Sequence, residues 1–259
     1  MDEQRVTEVS WQGAVIATAR EAGAAIMEVY SKEIEVRGKA DSSPVTEADE
    51  RAEAIITRAL LRLTPEVPVV AEEAVAAGAT PEVGAWFWLV DPLDGTKEFI
   101  SRNGEFTVNI ALIHQGRPVF GVVLAPALDR LFVGAAGQGA FAEERGTRRP
   151  IRCREVPASG LVVVASRSHG DAEALDRFLG GRLVATTINA GSSLKLCLVA
   201  AGEADLYPRL GRTMEWDIAA GHAVLSAAGG RIRTLAGDPL TYGKPGFDNP
   251  HFAAEGLVT

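Results

Sequence analysis

Apolar positions follow two rhythms along the chain. From about Val6 to Tyr30, the residues Val9, Val15, Ile16, Ala19, Ile26 and Val29 recur near helical spacing and predict an amphipathic helix. A second helix is predicted from Glu47 to Leu63. Thr46 is its N-cap, Glu47, Asp49 and Glu50 sit in its first turn, and Thr64-Pro65 stops it. The rhythm then shortens. The stretch "VPVVAEE" reads as a short buried strand ending in two acids, and Phe87–Val90 as a strand covered on both faces. Residues 106–143 alternate apolar runs of strand length with Gln-Gly, Ala-Pro and Gly-Gln-Gly turns, the pattern of an antiparallel meander.

The polar, basic, proline-bearing segment 144–160 is the expected junction between halves. Beyond it, "LVVVAS", "DAEALDRFLG", "RLVATTI", "SSLKLCLVAAG", "ADLYPR", "EWDIAAGHAVLSAAGG" and "RIR" alternate strand and helix patterns, which argues for a layered α/β architecture. The expected division is an N-terminal α+β half, 1–150, and a C-terminal α/β half, 151–259. The last stretch, 243–256, reads as loop.

Composition narrows the function classes. Apolar residues make up 47% and charged residues 23% of 259, as in an ordinary globular protein. With 34 acids against 26 bases the formal net charge is −8, which argues against a surface that coats nucleic acid. A small anionic substrate needs only local positive charge. Cys153 and Cys197 lack metal or redox spacing and read as buried thiols of a reducing compartment. No signal-peptide core and no apolar run near the ~20 residues of a membrane span is visible, so the expected location is the cytoplasm, with peripheral contact at the inner membrane face left open.

The chemistry gathers in acids placed where regular elements begin or end. Asp91 and Asp94 close the apolar run "WFWLV", where an unpaired charge is costly. Glu72 and Glu73 follow "VPVVA", Asp217 opens a predicted helix, and Asp49 lies near the start of the second helix. Strand ends in α/β folds converge on one crevice. Carboxylates converging there repel one another, and all-oxygen ligands favour Mg²⁺, Mn²⁺ or Ca²⁺ over zinc. The Leu93 carbonyl could add a ligand. Gly95-Thr96 supplies backbone N–H groups for a phosphate, and metals beside a phosphate cradle imply phosphoryl chemistry. The loop "DPLDGT" also invites comparison with the D-x-D-G-T nucleophile loop of haloacid-dehalogenase-type phosphatases. Two residues separate its acids instead of one, and "GDAEALD" spaces its acids one too far apart for the downstream motif. That reading fails on geometry.

Four ordered motifs, "SPVTEAD", the Glu72-Glu73 pair, "WLVDPLDGT" and "WDIAAGHAVLSAAGG", resemble the inositol monophosphatase superfamily of Mg²⁺-dependent, lithium-sensitive phosphatases. The stretches "DPLDGTKEFISRNGEFTVNIALI", "SRSH", "GSSLKLCLVA" and "LYPR" are similar to its bacterial CysQ-type branch, the 3'(2'),5'-bisphosphate nucleotidases of sulfur metabolism. The resemblance implies the αβαβα sandwich shared with fructose-1,6-bisphosphatases, with the site between the halves. The N-terminal half would carry most metal ligands, and the C-terminal half Asp217 and the substrate contacts.

It further implies that Glu72, Asp91 and the Leu93 carbonyl hold one Mg²⁺, and that Asp91, Asp94 and Asp217 hold a second. Thr96 and Asp49 would position and deprotonate the attacking water, with a third, weaker ion as an auxiliary. Glu72 rather than Glu73 is the ligand by register. The Gly95 and Thr96 amides would hold the scissile phosphate. Ser166, His169, Gly191 and Lys195 would bind the adenosine monophosphate portion, with Arg209 a further anion contact. The implied reaction is removal of the 3'-phosphate of adenosine 3',5'-bisphosphate, giving AMP, with 3'-phosphoadenylyl sulfate as an additional substrate. The alternative is an inositol- or sugar-phosphate phosphatase with the same metal core. Monomer and homodimer both remain open, and a small phosphorylated nucleotide is the expected partner rather than a nucleic acid polymer.

Overall fold

A computed structural model describes residues 9–32, 44–167 and 172–257. The chain begins with helices α1 (Val9–Tyr30) and α2 (Pro44–Leu63), strand β1 (Val69–Ala71), short helix α3 (Glu72–Ala76), β2 (Trp86–Asp94) and short helix α4 (Thr96–Ile100). A meander follows: β3 (Thr107–His114), β4 (Arg117–Ala125), β5 (Arg130–Ala135), β6 (Gly139–Glu144) and β7 (Thr147–Ile151). Then come β8 (Leu161–Ser166), α5 (Ala172–Leu179), β9 (Val184–Ala190), α6 (Leu194–Ala200), β10 (Leu206–Arg209), α7 (Glu215–Ala227), β11 (Arg231–Thr234) and β12 (Phe252–Glu255). Strands β1 to β7 form one sheet in sequence order, and the second sheet runs β11-β12-β10-β8-β9.

Side-chain alternation on β2 sets the layering. Trp88 and Val90 join Val15 and Ile26 of α1 and Ile56 and Leu60 of α2 in one core. Phe87 and Leu89 face the other way, into a core shared with Leu196 of α6, Val224 of α7, and Val164 and Phe252 of the second sheet. Leu179 of α5 covers Val163 and Leu206 on the far face. The sequence of layers is therefore helices, sheet, helices, sheet, helix, the αβαβα sandwich. Both faces of β2 are buried, which explains its unbroken apolar run. The central helix α7 lies flush on the first sheet because Gly121 and Gly134 have no side chain. A Cβ at those positions would stand 2.4 Å from the Ala220 carbonyl oxygen and 2.5 Å from Val224 Cα.

Four local expectations are corrected. Thr46 lies inside α2, which starts at Pro44; proline's fixed φ suits the first helical position, so the helix starts earlier than an N-cap at Thr46 allows. Residues 147–151, read as junction, form edge strand β7, where exposed arginines suit a sheet rim. Strand β2 continues through Asp94, with an irregular register between Asp91 and Asp94. Phe252–Glu255, read as loop, pairs with both β10 and β11. No helix among the described residues is long and apolar enough to cross a membrane.

Candidate active site

The register of the first sheet brings the first two acids together. Ala71 on β1 pairs in parallel with Val90 on β2, so Glu72 and Asp91 follow as the next residues of neighbouring strands. Asp91 shares the strand face of Phe87 and Leu89, the face that α7 covers, and α7 carries Asp217 in its first turn. The Leu93 N–H donates to Asp91 Oδ1 at 3.1 Å, and the Met214 N–H donates to Asp217 Oδ2 at 2.8 Å, so each carboxylate is oriented by its own turn.

Adjacent serines stitch the remaining parts. Ser192 Oγ shares its one proton between the Glu105 carbonyl at 2.5 Å and the Asp94 carbonyl at 2.9 Å, and Ser193 Oγ donates to the Asp217 carbonyl. Gly95, the residue before α4, has φ +98°, and a Cβ there would fall 2.3 Å from Ser192 Oγ. Only glycine fits this turn. On α2, Glu53 stands one turn beyond Asp49 and accepts the N–H groups of Glu73 at 2.8 Å and Ala74 at 2.9 Å. It thereby caps the short helix that begins with Glu72.

Burial and crowding of like charge raise these acids together. Burial, then the charges of Glu73 and Glu72, push Asp49 up to about 8. Burial raises Glu72 to about 7, the adjoining Asp91 carboxyl partly offsetting it. Asp91 lies well above its ordinary range through burial and the charges of Glu72, Asp94 and Asp217. Asp217 reaches about 8 through burial and Asp94. Asp94 is raised by burial, with Lys195 and the Ser193 N–H working against the rise. Lys195, 5% exposed, is lowered by burial to about 8. Its Nζ donates to the Ser192 carbonyl at 2.6 Å.

Among the described residues, no three acidic, histidine or cysteine side chains stand in ready coordinating geometry. Like charges this close repel. The donors nonetheless fit a hard divalent cation: they are oxygens, and acids outnumber the flanking cations Lys195, Arg209 and Arg212 that act on Asp94 and Asp217. Buried Thr107 Oγ1 and both amide atoms of Asn109 lack hydrogen-bond partners. These two residues pair across the sheet with Asp94 and Asp91. The Asn109 amide lies close enough to Asp94 to favour its ionised form. Buried polar atoms beside a cluster of acids are groups that an ion and its waters would satisfy.

Two adjoining cavities open from this point. The larger, about 510 Å³, is lined by Asp94, Gly95, Thr96, Lys195, Arg209 and Asp217 among others. The smaller, about 340 Å³, shares Ser166 and Arg209 with it and extends to Leu175, Thr187 and Asn189. Of the residues expected at the site, Glu72, Asp91, Asp94 and Asp217 stand near enough for their charges to act on one another, and Asp49 lies beside Glu72 and Glu73. No hydrogen bond joins Asp49 to Thr96. Gly191 is buried and its N–H donates to Glu105 Oε2 at 2.8 Å, so that amide is engaged within the protein. His169 lies outside the described residues. Sequence reasoning missed Glu53, Ser192 and Ser193. Glu53 was findable as the acid four residues after Asp49 on one helix face, whereas the serine contacts are long-range and leave no local signal.

Comparison with known proteins gives a consistent picture. The description "Inositol monophosphatase family" matches residues 3–258. The 3'(2'),5'-bisphosphate nucleotidase CysQ of Escherichia coli K12 is 51% identical over 241 residues, covering 92% of this chain and 96% of that protein. The same-named protein of Buchnera aphidicola is 42% identical over 92% of this chain and 91% of its own length. Among solved structures, CysQ from Bacteroides thetaiotaomicron, described as a bacterial member of the family, superposes with TM-score 0.82 at 36% identity, over 98% of this chain and 99% of that one. An inositol monophosphatase from Anabaena superposes with TM-score 0.75 at 27% identity, over 95% and 90%. With its acids converging between two sheets and this match along nearly its whole length, the chain belongs to the inositol monophosphatase family, within its CysQ-type branch.

Proposed function

We propose that the chain is a metal-dependent phosphomonoesterase that removes the 3'-phosphate of adenosine 3',5'-bisphosphate, releasing AMP and phosphate. The observation that carries this reading is the pairing of two unlike features in one cavity. Asp94 and Asp217 line it together with the cations Lys195 and Arg209, with a second cavity adjoining. Such a crevice suits a ligand with two separated anionic groups and a ring. The relatives named 3'(2'),5'-bisphosphate nucleotidase support the same substrate class. The sulfated analogue, 3'-phosphoadenylyl sulfate, presents the same 3'-phosphate and is an additional substrate in this reading.

Glu72, Asp91 and the Leu93 carbonyl would hold one divalent cation, Mg²⁺, and Asp91, Asp94 and Asp217 would hold another. When bound, the cations supply Lewis-acid polarisation of the phosphate and charge compensation for the acids. The chain's own residues do the rest. The Gly95 and Thr96 amides fix phosphate oxygens in the turn shaped by Ser192. The Thr96 hydroxyl orients the attacking water and Asp49 accepts its proton. Lys195 and Arg209 hold the 5'-phosphate, and Ser166 lies where the two cavities meet. Water attacks phosphorus in line with the departing ribose oxygen, with no covalent enzyme intermediate.

Turnover of adenosine 3',5'-bisphosphate and inositol 1-phosphate, measured side by side with Mg²⁺, tests the assignment. A higher kcat/KM for the nucleotide is expected; equal or greater turnover of the inositol ester overturns the substrate.

A further inference from the structure

A third cavity, about 490 Å³, shares no lining residue with the two above. It lies where the β3–β4 hairpin, the second half of α7 and the edge strand β11 meet. Three arginines, Arg117, Arg231 and Arg233, line it together with Pro118, Ile232 and Leu240. Arg231 is committed to Glu255, at 3.1 Å from its Nε and 3.0 Å from its Nη2. Arg117 has no ion pair among the described residues, and Arg233 donates from Nη1 to the Gly237 carbonyl at 2.6 Å, with no acid opposite it. His222 adds a buried ring whose Nδ1 lies 2.8 Å from the Tyr242 hydroxyl. Burial pushes that ring down to about 3, so it contributes hydrogen bonding and shape, not charge.

Two guanidinium forks without acid partners thus face one cavity, in a chain of net charge −8. Around them the walls are apolar. From this combination we propose that the cavity is a second anion site, taking a small organic phosphate whose oxyanion is held by Arg117 and Arg233 and whose ring or alkyl portion rests on Pro118 and Pro239. The site is independent of the activity assigned above, because no residue of the acid-lined crevice takes part.

Calorimetric titration with phenylphosphonate, a phosphate-ester mimic that a phosphatase does not hydrolyse, tests it in chelator, with the Lys195→Ala variant separating this cavity from the acid-lined crevice. The wild-type chain and the Lys195→Ala variant are expected to bind alike. The Arg117→Ala/Arg233→Ala double variant should lose about tenfold or more in affinity, the scale of one or two charge-assisted contacts. Inorganic phosphate, lacking the apolar part, should bind more weakly than phenylphosphonate. Undiminished binding in the arginine double variant, abolition by Lys195→Ala, or no binding by the wild type at millimolar ligand would overturn the site.

Discussion

Gly95→Ala tests how the phosphate-facing turn is held. At φ +98° an alanine pays the left-handed penalty of roughly 1–2 kcal/mol. Its Cβ would also stand 2.3 Å from Ser192 Oγ, too close for that atom to remain, and 3.3 Å from Phe106 Cα, a tight contact. The serine is the softer neighbour. Displacing it breaks the hydrogen bond its single proton shares between the Asp94 and Glu105 carbonyls, worth about 1 kcal/mol. The expected loss of stability is therefore about 2–3 kcal/mol, read by urea denaturation without metal. Turnover should fall as well, because the Asp94 carbonyl and the Gly95 amide share the moved peptide. Ser192→Ala alone should cost about 1–2 kcal/mol. Combined with Gly95→Ala, it removes the clashing atom, so the double variant should be more stable than the sum of the singles by at least about 1 kcal/mol. Strict additivity, or a Gly95→Ala cost below about 0.5 kcal/mol, would refute the idea that Ser192 fixes this turn.

Other outcomes follow from the same site. Asp94→Asn should keep the fold and lose activity by several orders of magnitude, since a neutral amide is a poor Mg²⁺ ligand; near-native turnover would contradict its ligand role. Glu53→Ala leaves the Glu73 and Ala74 N–H groups uncapped, so the Mg²⁺ concentration for half-maximal activity should rise about tenfold; an unchanged Mg²⁺ dependence would reduce Glu53 to a structural cap. In chelator, the folded chain holds protons on Asp49, Glu72 and Asp217 that the unfolded chain releases near pH 4, because their folded values are raised to about 8, about 7 and about 8. Their contribution to stability is present below the unfolded pKa and is lost as pH rises toward 8. Melting temperature in chelator should fall across that window, and Mg²⁺ should restore it while releasing protons. Metal binding without proton release at pH 7 would contradict the shifts.

Local grammar carried most of the architecture. The unbroken apolar run Phe87–Val90 reflects burial on both faces of β2, and the turns within 106–143 mark the meander, because both signals lie within a few residues of their cause. Strand β12 escaped notice for the opposite reason. Phe252–Glu255 is four residues with two alanines after a proline, and what makes it a strand is its pairing with β10 and β11 far back in the chain. The site divides the same way. Asp91, Asp94 and Asp217 announce themselves as acids at the ends of apolar elements. The Ser192 and Ser193 bridges, the Glu53 cap, and the close seat of α7 on Gly121 and Gly134 exist only once distant segments meet.

Crystals soaked in Mn²⁺ and measured at the manganese absorption edge test the central claim most directly. Anomalous peaks are expected among Glu72, Asp91, Asp94 and Asp217, with carboxylate oxygens drawn in around them. Those four side chains pointing apart with no peak among them, in crystals of protein that still hydrolyses its substrate, would contradict it.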